Sequence, residues 1–164
     1  MADVVIRRAT MRDEGVLLGL ADRLATFDLP EWRRSTTVVA ADGLSMLRAV
    51  QAAHVDDEVF IAERAERAEQ ACEPAGCLHI FAVIDFFGLH HAHVSVIATS
   101  SAAEGCGVGR ALLTHAEDWA RARGLRLLTL NVFASNTRAR RFYERAGMSV
   151  EFVKYAKAIP ADPL

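Results

Sequence analysis

Long apolar runs are missing from this chain of 164 residues. The nearly uncharged, strongly apolar stretch Gly76 to Ile84 is far short of the roughly 20 residues a membrane-spanning helix needs. At the start, Met1-Ala2-Asp3-Val4 carries an acid where a secretory leader carries basic residues, and no apolar core follows. A soluble, cytoplasmic protein is therefore expected. Cysteine is scarce as well: Cys72, Cys77 and Cys106 are odd in number and lack a paired metal spacing. That argues against a disulfide framework or a zinc knuckle and leaves reduced thiols. Charge of one sign is also wanting, since 19 basic and 21 acidic side chains give a net charge of -2. No global field points to nucleic acid or an anionic membrane surface, so partners must be read from local motifs.

Neither a repeat nor a linker interrupts the chain, and a 52% hydrophobic composition is enough to build one core, so residues 1–164 are read as one domain. Val4-Val5-Ile6 reads as a short strand. Thr10 ahead of Asp13, Glu14 and the series Val16, Leu17, Leu20, Leu24 reads as a capped helix with acid in its first turn. Pro30 breaks the periodicity, placing Phe27 and Trp32 on a loop. A second helix is expected from about Val38 to Gln51 with Leu44, Leu47 and Val50 on one face. Strands are expected at Val59 to Ala62 and Gly76 to Asp85, joined by an exposed connection from Glu63 to Ala75.

His91 to Ala98 alternates, which puts Ala92, Val94, Val96 and Ala98 on one face and His91, His93, Ser95 and Ile97 on the other unless a bulge inverts it. Gly107 to Arg123 has helical spacing of Val108, Leu112, Ala116 and Trp119, closed by Gly124. Leu125 to Phe133 is almost continuously apolar, as a buried parallel strand should be. A last helix, Asn136 to Ala146, stops at Gly147 and leads into an expected strand pair, Val150 to Val153 and Tyr155 to Ile159.

The chemical signal is Glu104-Gly105-Cys106-Gly107-Val108-Gly109-Arg110, a glycine-dense turn between a strand and an amphipathic helix. Three glycines in five residues let the backbone approach a ligand and turn several N–H groups toward one point. With the positive end of the following helix they form an anion site suited to a pyrophosphate. The Gly-x-Gly-x-Gly spacing and the mid-chain position do not match a nicotinamide-binding fingerprint, and no lysine with Ser/Thr follows Gly109 as in a P-loop.

These residues resemble the GNAT acetyltransferase superfamily. Its cofactor motif, Gln/Arg-x-x-Gly-x-Gly/Ala, is matched with Glu104, Gly107 and Gly109 at the first, fourth and sixth places. Its second block, Asn-x-x-Ala-x-x-Phe-Tyr-x-x-x-Gly, is similar to Asn136 through Ala139, Phe142 and Tyr143 to Gly147. The resemblance covers essentially the whole chain, weakest before Val59. It implies an α/β (α+β) fold: a mixed, mostly antiparallel sheet of six to seven strands, with a splayed parallel pair at the cofactor site and about four helices. It also implies an N-acetyltransferase using acetyl-CoA as co-substrate and a small-molecule or peptide amine as acceptor. No nucleic acid or membrane partner is expected, and the closing strand pair offers a route to a homodimer.

By that resemblance the pantetheine arm lies along Ile97, Ala98 and Thr99, and the diphosphate on Gly105, Cys106, Gly107, Val108, Gly109 and Arg110. Asn136 and Ala139 join the cofactor site from the last helix. Glu104 departs from the pattern, and its carboxylate is expected to turn away from the phosphates.

Amide formation from a thioester needs a neutral amine, donors for the oxyanion and a proton for the leaving thiolate. Tyr143 is the expected acid, a phenol that the resemblance aims at the sulfur. His91 and His93 are the candidate bases, because imidazole titrates near neutrality. His79, His90, His91 and His93 lie on adjacent strands, but no cysteine or carboxylate completes a tetrahedral set at ordinary spacing, so no metal is expected. Phe27, Trp32 and the Phe86-Phe87 turn are expected to meet the acceptor, with Asp28 and Glu31 as partners for a cationic amine. A non-catalytic acyl-CoA-binding module is the rival reading; Asn136 and Tyr143 together favour the enzyme.

Overall fold

A computed structural model describes residues 4–64 and 73–159. The elements run β1 (Val4–Arg8), α1 (Glu14–Ala21), α2 (Ser35–Ala52), β2 (Asp57–Arg64), β3 (Glu73–Ile84), β4 (His90–Thr99), α3 (Val108–Ala122), β5 (Leu128–Leu130) and α4 (Thr137–Arg145). Short 3-10 turns flank α1 at Met11–Asp13 and Asp22–Ala25. The strands form one sheet in the order β1-β2-β3-β4-β5, antiparallel except for β4 with β5. Among the described residues no helix is long and apolar enough to cross a membrane.

The entry to α1 is set by Asp13, whose carboxylate accepts from Thr10 N at 2.8 Å and from both terminal nitrogens of Arg7 at 2.9 and 2.8 Å. That ties the helix start to β1 and holds the Asp13 carboxyl at about 2, chiefly through Arg7 and further through Thr10. Two apolar layers sandwich the sheet. On one face α3 packs Val108, Leu112, Ala116 and Trp119 over Leu78, Ile80, Ala92 and Val94. On the other, Leu17, Leu20, Met46 and Ala49 of α1 and α2 cover Ile61, Cys77, Val96 and Ala98. Gly76 lets α3 sit close: a Cβ there would stand 2.7 Å from the Ala98 carbonyl oxygen and 3.0 Å from Leu112 and Val108. The far end of α3 is held by Arg123, which stacks 3.7 Å over the Trp119 ring and reaches the buried Glu58 carboxylate at 2.7 Å.

Several expectations are corrected. The buried face of α2 is Gly43, Met46 and Ala49, with Leu44 half exposed and Leu47 and Val50 only partly buried. The small Gly43 and Ala49 allow α1 to approach, and that rotates the helix one residue from the Leu44 stripe. β2 and β3 are longer than the apolar runs that suggested them, because Glu63 and Arg64 continue the ladder opposite Pro74 and Glu73. The rest of the expected connection, with Cys72, lies outside the described residues.

β4 does not alternate cleanly. His79 pairs with Val96 and Ile80 with Val94, so Ser95 is an extra residue and the strand reverses faces there. Ala92 and Val94 face α3, whereas Val96 and Ala98 face α1 and α2. β5 comprises only Leu128–Leu130, half-buried, instead of a long buried strand. The expected strand pair after Gly147 is not formed: residues 149–159 carry no strand, and Val150, Phe152, Val153, Tyr155 and Ile159 are exposed. Exposed on this scale, they bury no apolar face that a strand pair would need. Among the described residues the sheet thus has five strands; its mixed character, the parallel pair and the four helices agree with the expected fold.

Candidate active site

β4 and β5 pair only where Ala92, His93 and Val94 meet Leu128, Thr129 and Leu130; beyond Val94 they separate and Ser95 to Thr99 run on without that neighbour. Ser100 N–H turns toward β3, bonding Ala75 O at 2.9 Å. Strand alternation turns the N–H groups of Thr99 and Ile97 the opposite way, into the fork. Among the described residues those donors have no ladder partner on that side, and β4 runs on from there to the glycine turn.

In that turn Gly105 and Gly107 have φ of 74° and 85°, left-handed values that side chains with a Cβ adopt only with strain. Nothing stands within 4 Å of where their Cβ atoms would be, so the turn faces open space. Cys106 N–H bonds Ala103 O at 3.2 Å, and the ladder of α3 begins with Ala111 N–H to Gly107 O at 3.0 Å. The N–H groups of Val108, Gly109 and Arg110 precede that ladder and have no backbone acceptor among the described residues. Val108 itself is fully buried and anchors the turn to the core. Free amides, open space and a helix N-terminus fit a diphosphate.

α4 closes the third side. At Gly109 a Cβ would lie 3.6 Å from Phe142 and 3.8 Å from Thr99, so the end of β4, the first turn of α3 and the middle of α4 converge on one residue. Tyr143 follows Phe142, their rings 5.2 Å apart edge to face. Burial pushes the Tyr143 phenol up to about 12, so it stays protonated and keeps its O–H donor at neutral pH. Asn136 caps α4, its Oδ1 accepting from Ala139 N at 3.1 Å. That bond orients the side chain and leaves its amide nitrogen available to donate to a ligand.

The bulge at Ser95 puts His91 and His93 on the α1 and α2 face, with different surroundings. His91 is buried and its Nδ1 lies 3.1 Å from Leu89 O, in its own hairpin. His93 lies at the fork, with Nδ1 2.8 Å from Thr129 Oγ1 and Nε2 3.5 Å from Asn131 Nδ2. Thr129 Oγ1 donates to Ala92 O at 3.4 Å. It therefore accepts from His93 Nδ1–H and leaves the lone pair on Nε2. Burial, with lesser contributions from His91 and His79, lowers the His93 pKa and keeps the ring neutral. His79, buried on the same face, bonds Asp57 Oδ1 through Nε2 at 2.8 Å. Among the described residues no group of three or more His, Cys, Asp or Glu side chains comes together as a metal site.

The expected acceptor residues divide. Phe27 is half-buried and meets Phe133 beyond β5, ring centroids 5.6 Å apart, so the loop after α1 reaches the mouth of the fork. Trp32 is 50% exposed, and Phe87 stands at the hairpin tip stacked on Phe152 at 6.2 Å, away from the fork. Residue-type reasoning missed Thr129, which was one polar residue within an apolar run. It also missed Arg23 and Arg138, whose guanidinium groups both meet Glu104. A groove of about 580 Å³ between the C-terminal end of α3 and the start of β5, lined by Glu117, Arg121, Arg126 and Leu128 among others, lies at the opposite end of α3 from the glycine turn.

The sequence profile described as the acetyltransferase (GNAT) family matches residues 25–148. No curated protein sequence matches the chain significantly. Among solved structures, a transcriptional regulator from Bacillus halodurans C-125 is 24% identical with a TM-score of 0.67, covering 96% of this chain and 100% of its own. The aminoglycoside N-acetyltransferase AAC(6')-Iy in complex with CoA is 16% identical with a TM-score of 0.67, covering 96% of each chain. Glucosamine-6-phosphate N-acetyltransferase from Arabidopsis thaliana is 15% identical with a TM-score of 0.62, covering 96% of this chain and 99% of its own.

Proposed function

Because this chain belongs to the acetyltransferase (GNAT) family, we propose that it moves the acetyl group of acetyl-CoA to a primary amine by direct attack in a ternary complex. The observation that carries this reading is the convergence at Gly109 of the β4 end, the glycine turn and the Tyr143 helix. Acetyl-CoA supplies an activated acyl group on sulfur; the nitrogen–carbon bond forms and the carbon–sulfur bond breaks. The amides of Val108 to Arg110 bind the diphosphate and the fork amides of Ile97 and Thr99 bind the pantetheine arm and the acyl oxygen. His93 Nε2 accepts the proton that the amine nitrogen sheds, directly or through one water. Tyr143 donates to the departing sulfur; with its phenol near 12 it stabilises the thiolate more by a hydrogen bond than by complete proton transfer. His91, enclosed by its hairpin, is the weaker candidate for the base.

The acceptor is an amine of a small molecule or peptide, entering from the α1 and α2 face past Phe27. Two of the similar structures are named for amine substrates, an aminoglycoside and glucosamine 6-phosphate. The exposed Asp28 and Glu31 and Asp42 of α2, whose pKa burial raises, give that side acidic groups for a cationic acceptor. The test is calorimetry with acetyl-CoA followed by a panel of amines read by free-thiol release. Binding heat with amine-dependent thiol release is expected. Heat without thiol release across the panel overturns the catalytic reading in favour of a binding module.

A further inference from the structure

The carboxylate of Glu104 is held from two sides. One oxygen meets Nη2 of Arg23, on the 3-10 turn that follows α1, and the other lies 2.8 Å from Nη1 of Arg138 in the first turn of α4. We infer that Glu104 is a positioning residue: it clasps the glycine turn between the acceptor-side turn and the Tyr143 helix, so the phosphate-binding amides are in place before the ligand arrives. The inference rests on the proposed placement of the diphosphate at Val108 to Arg110.

Three features support it. Gly105 and Gly107, both left-handed, closely follow Glu104, and glycines have the most conformational freedom to lose when a ligand demands one geometry. A tether at their start removes part of that cost in advance. Arg23, in turn, depends on the pair: its side chain is 31% exposed, and its Nε is buried without a partner among the described residues. Taking away the carboxylate leaves a poorly solvated cation beside the turn. Finally, a lone carboxylate here would repel the phosphates, but two guanidinium groups face it and leave the cluster net positive. Arg138 foremost, and then Arg23, lower the Glu104 pKa, so the clasp is ionised at neutral pH.

The test uses the full chain with Glu104→Ala, the near-isosteric Glu104→Gln, and CoA and acetyl-CoA as probes. Glu104→Ala is expected to weaken CoA binding and raise the KM for acetyl-CoA roughly tenfold, on the scale of one charge-assisted hydrogen bond. The kcat at saturation should stay within about twofold, since no reacting atom is touched. Glu104→Gln should fall between, because an amide oxygen still accepts from Arg23. Without ligand, the Cys106 and Ala111 amides, bonded to Ala103 and Gly107 carbonyls, should exchange faster in Glu104→Ala. Unchanged or tighter CoA binding with unchanged exchange overturns the clasp while leaving the acetyltransferase reading intact. A parent chain that gives no heat with CoA overturns both.

Discussion

His93 Nδ1 lies 2.8 Å from Thr129 Oγ1, joining β4 to β5 one register position before the two strands part. The bond settles which nitrogen carries the proton, because the threonine hydroxyl already donates to the Ala92 carbonyl. The lone pair stays on Nε2, which lies 3.5 Å from Asn131 Nδ2 at the fork where the acyl group is proposed to sit. Replacing His93 with Ala is expected to lower kcat/KM about a hundredfold, the low end for a lost general base.

The pH profile carries the sign of the His93 shift. A base acts when neutral, and burial together with His91 and His79 lowers its pKa. His93 should therefore contribute an acid limb centred below the ordinary histidine value of about 6.5. His93→Ala should lack that limb. A limb that persists in His93→Ala assigns the base elsewhere.

Tyr143→Phe keeps the ring that packs on Phe142 and removes only the donor. Turnover should drop by about ten- to a hundredfold with little change in the KM for acetyl-CoA. Since the phenol stands near 12, the parent enzyme should show no tyrosine limb on the alkaline side below about pH 10. Equal turnover in parent and Tyr143→Phe at every pH removes the residue from the mechanism.

Two glycines of the turn should respond oppositely to alanine. Gly107 has φ 85° with open space around it, so Gly107→Ala carries backbone strain alone, about 1–2 kcal/mol, and should weaken CoA binding as the amides turn away. Gly109 sits inside α3, where a Cβ meets nothing nearer than 3.6 Å. Gly109→Ala should fold as well as the parent or better, by up to about 1 kcal/mol from helix propensity. Urea unfolding and calorimetry with CoA read both variants.

Asp13 gives a stability test away from the site. Its folded pKa of about 2 lies below the ordinary 3.8. The stabilisation is fully present above pH 3.8 and is lost as pH falls through about 2. Asp13→Asn should cost about 2 kcal/mol at pH 7, the free energy that corresponds to holding a buried carboxyl so far below its unfolded value. The gap between parent and variant in unfolding free energy should stay constant down to about pH 4 and close toward about pH 2.

Short-range pattern carried much of this protein. The glycines after Glu104, the amphipathic stripe of α3, the Asn136 cap of α4 and the Phe142-Tyr143 pair are all local features, and local backbone geometry decides where they fall. The profile match over residues 25–148 agrees with the family those motifs resembled. Patterns failed where a partner decides the outcome. Leu125 to Phe133 reads as one long strand, yet only Leu128–Leu130 pair, because a ladder exists only where β4 runs alongside. The apolar residues after Gly147 read as strands but form none and stay exposed. The faces of β4 depend on Ser95, an extra residue visible only against β3.

The amino-acid order by itself therefore determined a glycine turn at a helix start, a tyrosine-bearing final helix and, ahead of both, a pair of histidine candidates. Tertiary structure alone decided that His93 stands at the fork while His91 is enclosed in its hairpin. It also decided that Glu104, the residue out of pattern, finds Arg23 and Arg138 on opposite sides. The physical reason is distance along the chain. Turn and helix preferences act over a few residues, whereas Arg23 and Glu104 are 81 positions apart and His93 and Thr129 are 36. Pairing of β4 with β5 brings His93 to Thr129, and packing of the helical layers on the sheet brings Arg23 to Glu104.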